Sequence, residues 1–167
     1  MATPAKSHIP DGFHSVSPYL IIKNAAKAID YYKDVFGAEE ISRMAIPDGR
    51  IGHAEIKIGN SMLMLGDEFP EQGFKSPTSF GGTPVSCMVY VKDCDAVLNK
   101  AAKSGGTITV PASDMFWGDR FGRFTDPFGH EWSVSTHLED LTDEEIAKRH
   151  EAFENSHEDC GGCGHEH

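Results

Sequence analysis

The chain has 167 residues, of which 39% are hydrophobic, and a formal net charge of −11 at pH 7. This length suffices for one domain or for two small modules that share a core. The acidic charge argues against a nucleic-acid partner, and without a membrane-length apolar run or a signal-peptide pattern we expect a cytoplasmic protein with no membrane partner.

The first predicted elements occupy residues 15–68 and follow a lead, residues 1–14, that we expect to be flexible. A strand at 16–22 precedes a helix at 25–36, whose apolar side chains recur at helical spacing. Asn24 is the predicted N-cap of this helix, and Gly37 is the predicted C′ residue. Three strands follow the helix, near residues 39–46, 51–58 and 61–66.

The second half, residues 85–138, repeats this order after a linker loop at 69–84. We predict its elements as a strand at 85–91, a helix at 94–104, and strands near 107–110, 119–125 and 130–136. Thr142 and Glu145 form a capping-box pattern that predicts a final helix within residues 139–155. Residues 156–167 are a Cys- and His-containing tail that we expect to be disordered.

A shift of 69 residues relates the two halves of the chain. It moves Ser17 onto Ser86 and Gly37 onto Gly106, and the hydrophobic pattern follows the same shift. A duplicated unit of about fifty residues has an apolar face that a helix or a partner copy must cover. The pattern predicts an α+β protein with two βαβββ modules and a C-terminal helix, and we expect the functional site between the modules.

This order resembles the vicinal oxygen chelate superfamily, which includes glyoxalase I, bleomycin-resistance proteins and extradiol dioxygenases. The segments that carry the resemblance are IDYYKDVFGA at residues 29–38 and DPFGH at residues 126–130. GHAE at 52–55 and FWGDR at 116–120 look like the PhnB-like, glyoxalase/bleomycin-resistance-like subgroup. The resemblance implies that the sheets form a curved mixed β-sheet cup, but a fold does not fix the chemistry.

Metal-dependent members of this superfamily place one donor on the first strand and one on the last strand of each module. Carried over to this sequence, the four positions are Ser17, Met64, Ser86 and Ser133. Hydroxyl and thioether groups cannot hold a divalent catalytic ion without stronger donors nearby. We therefore expect a cup without a catalytic metal or another cofactor.

Strand alternation predicts which side chains line the cup. The two-residue turn after Ile58 pairs Glu55 with Met64 and Lys57 with Met62. The predicted ligand-binding residues are Ser17, Tyr19, Met62, Met64, Ser86, Met88, Tyr90, Trp117, Arg120, Arg123, Glu131 and Ser133.

His53 and Glu55 share one face of a predicted strand, and they are the candidate catalytic residues. They could form an acid–base pair, or a displaced metal site completed by Glu131. The alternative is a structural ion or hydrogen-bond pair, because paired charges alone do not establish catalysis.

The leading interpretation is a homodimeric small-molecule-binding protein of the bleomycin-resistance type. The alternative is a glyoxalase-like lyase, isomerase or hydrolase that uses His53, Glu55 and Glu131, with or without a divalent metal. Separately, the tail places Cys160, Cys163, His165 and His167 close together in sequence. Thiolates and imidazoles are ligands for zinc and nickel, so the tail is a candidate metal site, and a solvated tail without metal is the alternative.

Overall fold

The computed structural model of the protein describes residues 3–158. The first half contains β1 (Tyr19–Ile22), α1 (Ala25–Phe36), β2 (Glu39–Ala45), β3 (Ile51–Ile58) and β4 (Ser61–Asp67). A 3-10 turn (Pro70–Gln72) and a short helix α2 (Pro77–Phe80) lead to the second half. That half contains β5 (Ser86–Tyr90), α3 (Cys94–Lys103), β6 (Thr107–Asp114), β7 (Asp119–Thr125) and β8 (Glu131–His137). Helix α4 (Asp143–Glu158) follows. None of the helices within residues 3–158 combines the length and the hydropathy of a membrane span.

Each half forms a four-stranded mixed sheet, with the orders β1-β4-β3-β2 and β5-β8-β7-β6. The first strand of each sheet is parallel to the last strand of the same module, and the other pairs are antiparallel. The predicted α+β class with two βαβββ modules is confirmed. The predicted pairing of Glu55 with Met64 and of Lys57 with Met62 is also confirmed.

Relative to the 69-residue repeat, the pairing between the third and last strands is offset by one residue in the second module. Met64 and Ser133, which are 69 residues apart, pair with Glu55 and Arg123 respectively. Glu55 and Arg123 are 68 residues apart, because Glu55 precedes its partner by nine residues and Arg123 precedes its partner by ten. Strand pairing therefore makes Arg123 the counterpart of Glu55.

The two modules share one hydrophobic core around α1. The side chains of Tyr32, Phe124 and Trp132 are fully buried. The ring of Trp132 on β8 lies 5.3 Å from that of Tyr32 and 4.7 Å from that of Phe36, measured between centroids. Burying a large apolar side chain contributes about 1.5–3 kcal/mol, so these cross-module contacts stabilise both halves together.

Asp126, in the turn before β8, is a buried hydrogen-bond acceptor at the junction of the modules. Its Oδ2 accepts from Tyr32 Oη at 2.7 Å and from Trp132 Nε1 at 2.9 Å. Its Oδ1 accepts from the backbone N–H groups of Phe128 and His130, each at 2.9 Å. Burial, followed by the nearby Asp126 carboxylate, raises the pKa of Tyr32 well above its ordinary value. The Tyr32 hydroxyl therefore stays protonated and donates across the module boundary.

The helix ends only partly follow the sequence prediction. Asn24 occupies the N-cap position of α1, but its side chain makes no capping hydrogen bond. Asp67 at the end of β4 accepts from the backbone N–H groups of Asn24 and Ala25 instead. Gly37 has φ of 65° and ends α1 as predicted, because glycine adopts positive φ without strain.

The predicted capping box of the last helix is present. Thr142 Oγ1 accepts from the backbone N–H of Glu145, and Glu145 Oε2 accepts from the backbone N–H of Thr142. This reciprocal pair satisfies two donors that would otherwise lack partners at the start of α4.

Candidate functional site

One face of the first sheet carries a polar chain of four side chains, Tyr19, Ser42, His53 and Glu55. Tyr19 Oη lies 3.1 Å from His53 Nδ1, and His53 Nε2 lies 3.5 Å from Glu55 Oε1. Ser42 Oγ donates to Glu55 Oε2 at 3.1 Å. Burial raises the pKa of Tyr19, so its hydroxyl stays protonated and can donate to Nδ1. The His53 imidazole thus contacts the Tyr19 hydroxyl through Nδ1 and the Glu55 carboxylate through Nε2.

A cavity of about 550 Å³ lies over this face, and we call it the N-terminal cavity. The sheet contributes Glu55 and Met64, and Ser17 lies just before β1. The other wall comes from the segment before β1 and consists of His8, Ile9, Pro10, Phe13, His14 and Ser15. A turn in which the Phe13 N–H donates to the Pro10 carbonyl at 3.1 Å shapes this wall.

The wall residues were not among the predicted site residues. Most of them fall in residues 1–14, the predicted flexible lead, and no strand or helix forms within the described residues 3–14. The available sequence signal was the presence of Pro10 and Phe13 among polar residues. Such a signal does not indicate which surface the segment contacts.

The corresponding face of the second sheet has a different set of polar groups. Ser86 Oγ and Ser133 Oγ are 3.0 Å apart, and Thr125 Oγ1 donates to Glu131 Oε1 at 2.6 Å. Arg123 Nη2 lies 3.9 Å from Glu131 Oε2. The Nε atom of Arg123 is buried and has no hydrogen-bond partner within residues 3–158.

Trp117 and Arg120, both predicted to bind ligand, are engaged by other parts of the protein. Arg120 Nη1 donates to Asp114 at 2.8 Å, and Arg120 Nη2 donates to Asp95 at the same distance. Trp117 contacts the rings of Phe116 and Phe121, with centroids 5.0 and 5.7 Å away. These contacts tie the start of β7 to α3 and to the end of β6.

The remaining predicted ligand-binding residues line two further cavities between the modules. Met62, Met88 and Tyr90 line a cavity of about 730 Å³, and Tyr19 and Glu131 line one of about 640 Å³. The structure thus brings together Ser17, Glu55 and Met64, and separately Met62, Met88 and Tyr90.

Glu131 lies apart from the candidate catalytic pair. It contacts Thr125 and Arg123 in its own module. Within the described part of the chain, no hydrogen bond or ion pair joins it to His53 or Glu55.

The four positions that the resemblance assigns to metal donors do not fit a divalent ion in this chain. Three are serines and one is a methionine, and the hydroxyls of Ser86 and Ser133 bond to each other. Across residues 3–158, no group of three His, Cys, Asp or Glu side chains is arranged to hold a metal. The predicted tail ligands Cys160, Cys163, His165 and His167 lie outside the described residues.

Comparison with known proteins decides the family. Residues 12–134 match the glyoxalase/bleomycin resistance protein/dioxygenase superfamily. The chain belongs to this superfamily. It is also 42% identical over 135 residues to Rv0887c, an uncharacterised protein of Mycobacterium tuberculosis, and the aligned region covers 79% of each chain.

Solved structures agree with this assignment. Protein PA1353 from Pseudomonas aeruginosa superposes with a TM-score of 0.64 at 26% identity, covering 75% of this chain and 99% of that one. A PhnB protein from Bacillus cereus superposes with a TM-score of 0.60 at 20% identity, covering 74% and 99% respectively, and shares the fold. The predicted superfamily is therefore confirmed, and the PhnB protein is a structural neighbour that shares the fold.

Proposed function

We propose that the protein binds a small organic molecule in the N-terminal cavity without a catalytic metal, as a binding protein of the bleomycin-resistance type. One observation carries this proposal: Ser17, Glu55 and Met64, all predicted site residues, line one cavity whose other wall is formed by residues 8–10 and 13–15. Binding sites for small molecules are concave and mostly apolar, with a few polar groups that orient the ligand.

The chemistry of this cavity suits a ligand that has both polar and apolar parts. Glu55 and Ser17 offer a carboxylate and a hydroxyl, and Met64, Phe13 and Ile9 offer apolar surface. A methionine adapts its shape to irregular ligands because its side chain is unbranched and polarisable.

The absence of strong donors at Ser17, Met64, Ser86 and Ser133 supports metal-free binding. A hydroxyl or thioether is a poor ligand for the divalent ions that catalytic sites use. Ser86 and Ser133 also satisfy each other by a hydrogen bond.

A metal-free acid–base enzyme is the alternative, and the polar chain on the first sheet favours it. Glu55 would take a proton from the bound substrate, and the neighbouring His53 would carry or return it. A general base must lie within hydrogen-bond reach of the proton that it removes, and Glu55 lines the cavity where a substrate would sit.

A ligand screen followed by product analysis tests both functions. A fragment library is screened against the full chain by ligand-observed NMR, and hits are confirmed by calorimetry. Each hit is then incubated with the protein and analysed by mass spectrometry. We expect hits that bind and are recovered unchanged.

Variants separate the outcomes of this screen. Glu55→Gln should weaken binding yet leave some affinity in a binding protein, whereas it should abolish turnover in an enzyme. Glu151→Gln, on exposed α4, makes the same chemical change away from the cavity and should alter neither. A screen without hits, or hits that bind Glu55→Gln and a Met64→Ala variant as well as the wild type, would overturn the proposed site.

A further inference from the structure

The Glu55 carboxylate has no strong cationic partner. Its oxygens contact the Ser42 hydroxyl at 3.1 Å and His53 Nε2 at 3.5 Å, which is longer than a good N–H···O hydrogen bond. Within residues 3–158, no lysine or arginine forms an ion pair with it. About a quarter of its side chain is exposed, and it faces the N-terminal cavity.

Two other carboxylates of the first sheet, Glu40 and Asp67, differ from Glu55 in this respect. Glu40 on β2 bonds to both Lys33 and Arg43, and Asp67 on β4 accepts three backbone N–H groups. Neutralised or fully bonded carboxylates are the usual arrangement at half-buried positions, because an unpaired charge is costly to desolvate. Glu55 therefore retains an unmet capacity to accept hydrogen bonds or to pair with a cation.

The fold itself does not require a carboxylate at this position. In the second sheet the counterpart of Glu55 is Arg123, which pairs with Ser133 as Glu55 pairs with Met64. The same strand pairing thus forms around a guanidinium in one module and around a carboxylate in the other. The βαβββ fold consequently does not need the negative charge of Glu55, and the charge belongs to the chemistry of the N-terminal cavity.

The rest of the cavity provides apolar surface beside this charge. Phe13 and Ile9 form part of the wall opposite the sheet, and Met64 lies next to Glu55 on the neighbouring strand. Aromatic rings and polarisable sulfur groups both pack well against the alkyl or aryl groups of an organic cation. His8 and His14 also face the cavity, and they would oppose a bound cation only when protonated.

We propose that the N-terminal cavity selects an organic ammonium ion, a primary or secondary amine with an alkyl or aryl group, and that Glu55 is its counter-ion. This inference rests on the proposed binding function of the same cavity and adds the chemical class of the ligand. The ammonium group donates hydrogen bonds to the unused lone pairs of the Glu55 carboxylate. The apolar part of the ligand lies against Phe13 and Met64.

A charge-matched fragment set tests this assignment. The set contains amines, alcohols and carboxylic acids built on the same aryl and alkyl frameworks, such as phenethylamine, 2-phenylethanol and 3-phenylpropionate. Binding to the full-length protein is measured by ligand-observed NMR and calorimetry at about pH 8, where ordinary imidazole side chains are uncharged. The same measurements are made on Glu55→Gln and on the control Glu151→Gln.

We expect amines to dominate the hits for the wild type and for Glu151→Gln. Their affinity should fall about tenfold or more in Glu55→Gln, because that change removes a charge-assisted hydrogen bond. On the wild type alone, added NaCl should weaken the amines more than the matched alcohols. This salt measurement keeps the test valid if Glu55→Gln folds poorly.

Two outcomes would overturn the inference but leave the proposed binding function in place. In the first, the alcohols or carboxylates bind as tightly as the matched amines. In the second, Glu55→Gln keeps the preference for amines, so Glu55 is not the counter-ion. Binding by none of the three classes would overturn the proposed function together with this inference.

Discussion

Glu55 and Arg123 occupy equivalent positions in the two modules and carry opposite charges. Each lies on the third strand of its module and pairs with a residue of the last strand, Met64 or Ser133, and these two are related by the 69-residue repeat. The duplicated fold therefore presents a carboxylate on one sheet and a guanidinium on the other. The polar groups of the two faces therefore differ, because Arg123 lies 3.9 Å from the Glu131 carboxylate, whereas Glu55 has no lysine or arginine partner within residues 3–158.

Removing the Asp126 carboxylate should destabilise the whole protein. Asp126→Ala leaves Tyr32 Oη and Trp132 Nε1 buried without their acceptor. An unsatisfied buried donor costs about 1–3 kcal/mol, so we expect the free energy of unfolding to fall by about 3 kcal/mol or more. Urea denaturation followed by tryptophan fluorescence measures this change.

Tyr32→Phe is the matched control for Asp126→Ala. It removes one donor and leaves the Asp126 carboxylate bonded to Trp132 and to two backbone N–H groups. The loss should therefore be smaller, about 1–2 kcal/mol. Equal losses in the two variants would contradict the role assigned to the Trp132 and backbone hydrogen bonds.

The charge of His137 should make stability depend on pH near neutrality. Asp140, and then Asp119, raise the pKa of His137 above its ordinary value by hydrogen bonding to its ring. The folded protein therefore holds this proton more tightly than the unfolded chain. The stabilisation is complete below the ordinary pKa of about 6.5, and it is lost as the pH rises through the higher pKa of the folded state.

His137→Asn tests this linkage. The free energies of unfolding of the variant and the wild type should differ more at about pH 6 than at about pH 9. Because His137 is exposed, we expect a modest difference, and NMR titration of the imidazole measures the pKa directly. A difference that does not change over this range would show that the Asp140 and Asp119 contacts do not persist in solution.

Shortening the wall of the N-terminal cavity should weaken ligand binding with little effect on folding. Phe13 is partly exposed and belongs to no helix or strand, so Phe13→Ala removes little of the common core. We expect the melting temperature to change by only about 1–2 °C. The affinity of amine hits should fall several-fold by calorimetry, and unchanged affinity would exclude residues 8–15 from the binding site.

The tail prediction leads to a separate measurement of bound metal. We expect the full-length chain to bind zinc or nickel through Cys160, Cys163, His165 and His167. The double change Cys160→Ser and Cys163→Ser should abolish this uptake. Elemental analysis measures it after the protein has been loaded with the ion and dialysed to remove unbound ion. A version truncated after Phe153 also lacks the tail histidines, and stoichiometric metal retained by that version would instead locate an ion in the folded body and contradict the metal-free cavity.

Much of the fold could be predicted from the sequence because repeated, local patterns determine it. The period-two and helical patterns identified both βαβββ units, and the short turn after Ile58 fixed how Glu55 and Met64 pair. The capping box at Thr142 and Glu145 is also local and was recognised. In contrast, the cap of α1 comes from Asp67, which is distant in sequence and gives no local signal.

The candidate site was less predictable because it depends on long-range contacts. A constant shift of 69 residues would relate Glu55 to Phe124, which is buried in the core, whereas strand pairing relates it to Arg123. The contact between the N-terminal segment and the first sheet also has no periodic signature. Phe13 and His14 could therefore not be assigned to the cavity from the sequence alone.

The bonds of Asp126 also bear on how the duplicated units can behave. Tyr32 belongs to the first module, and Asp126 and Trp132 belong to the second, so either module alone would expose the ring contacts and leave polar partners unmatched. Neither repeat is then an independent folding unit, although each has a complete sheet of its own. Heat and denaturant should unfold both halves in one cooperative transition, and neither half should survive as an isolated fragment.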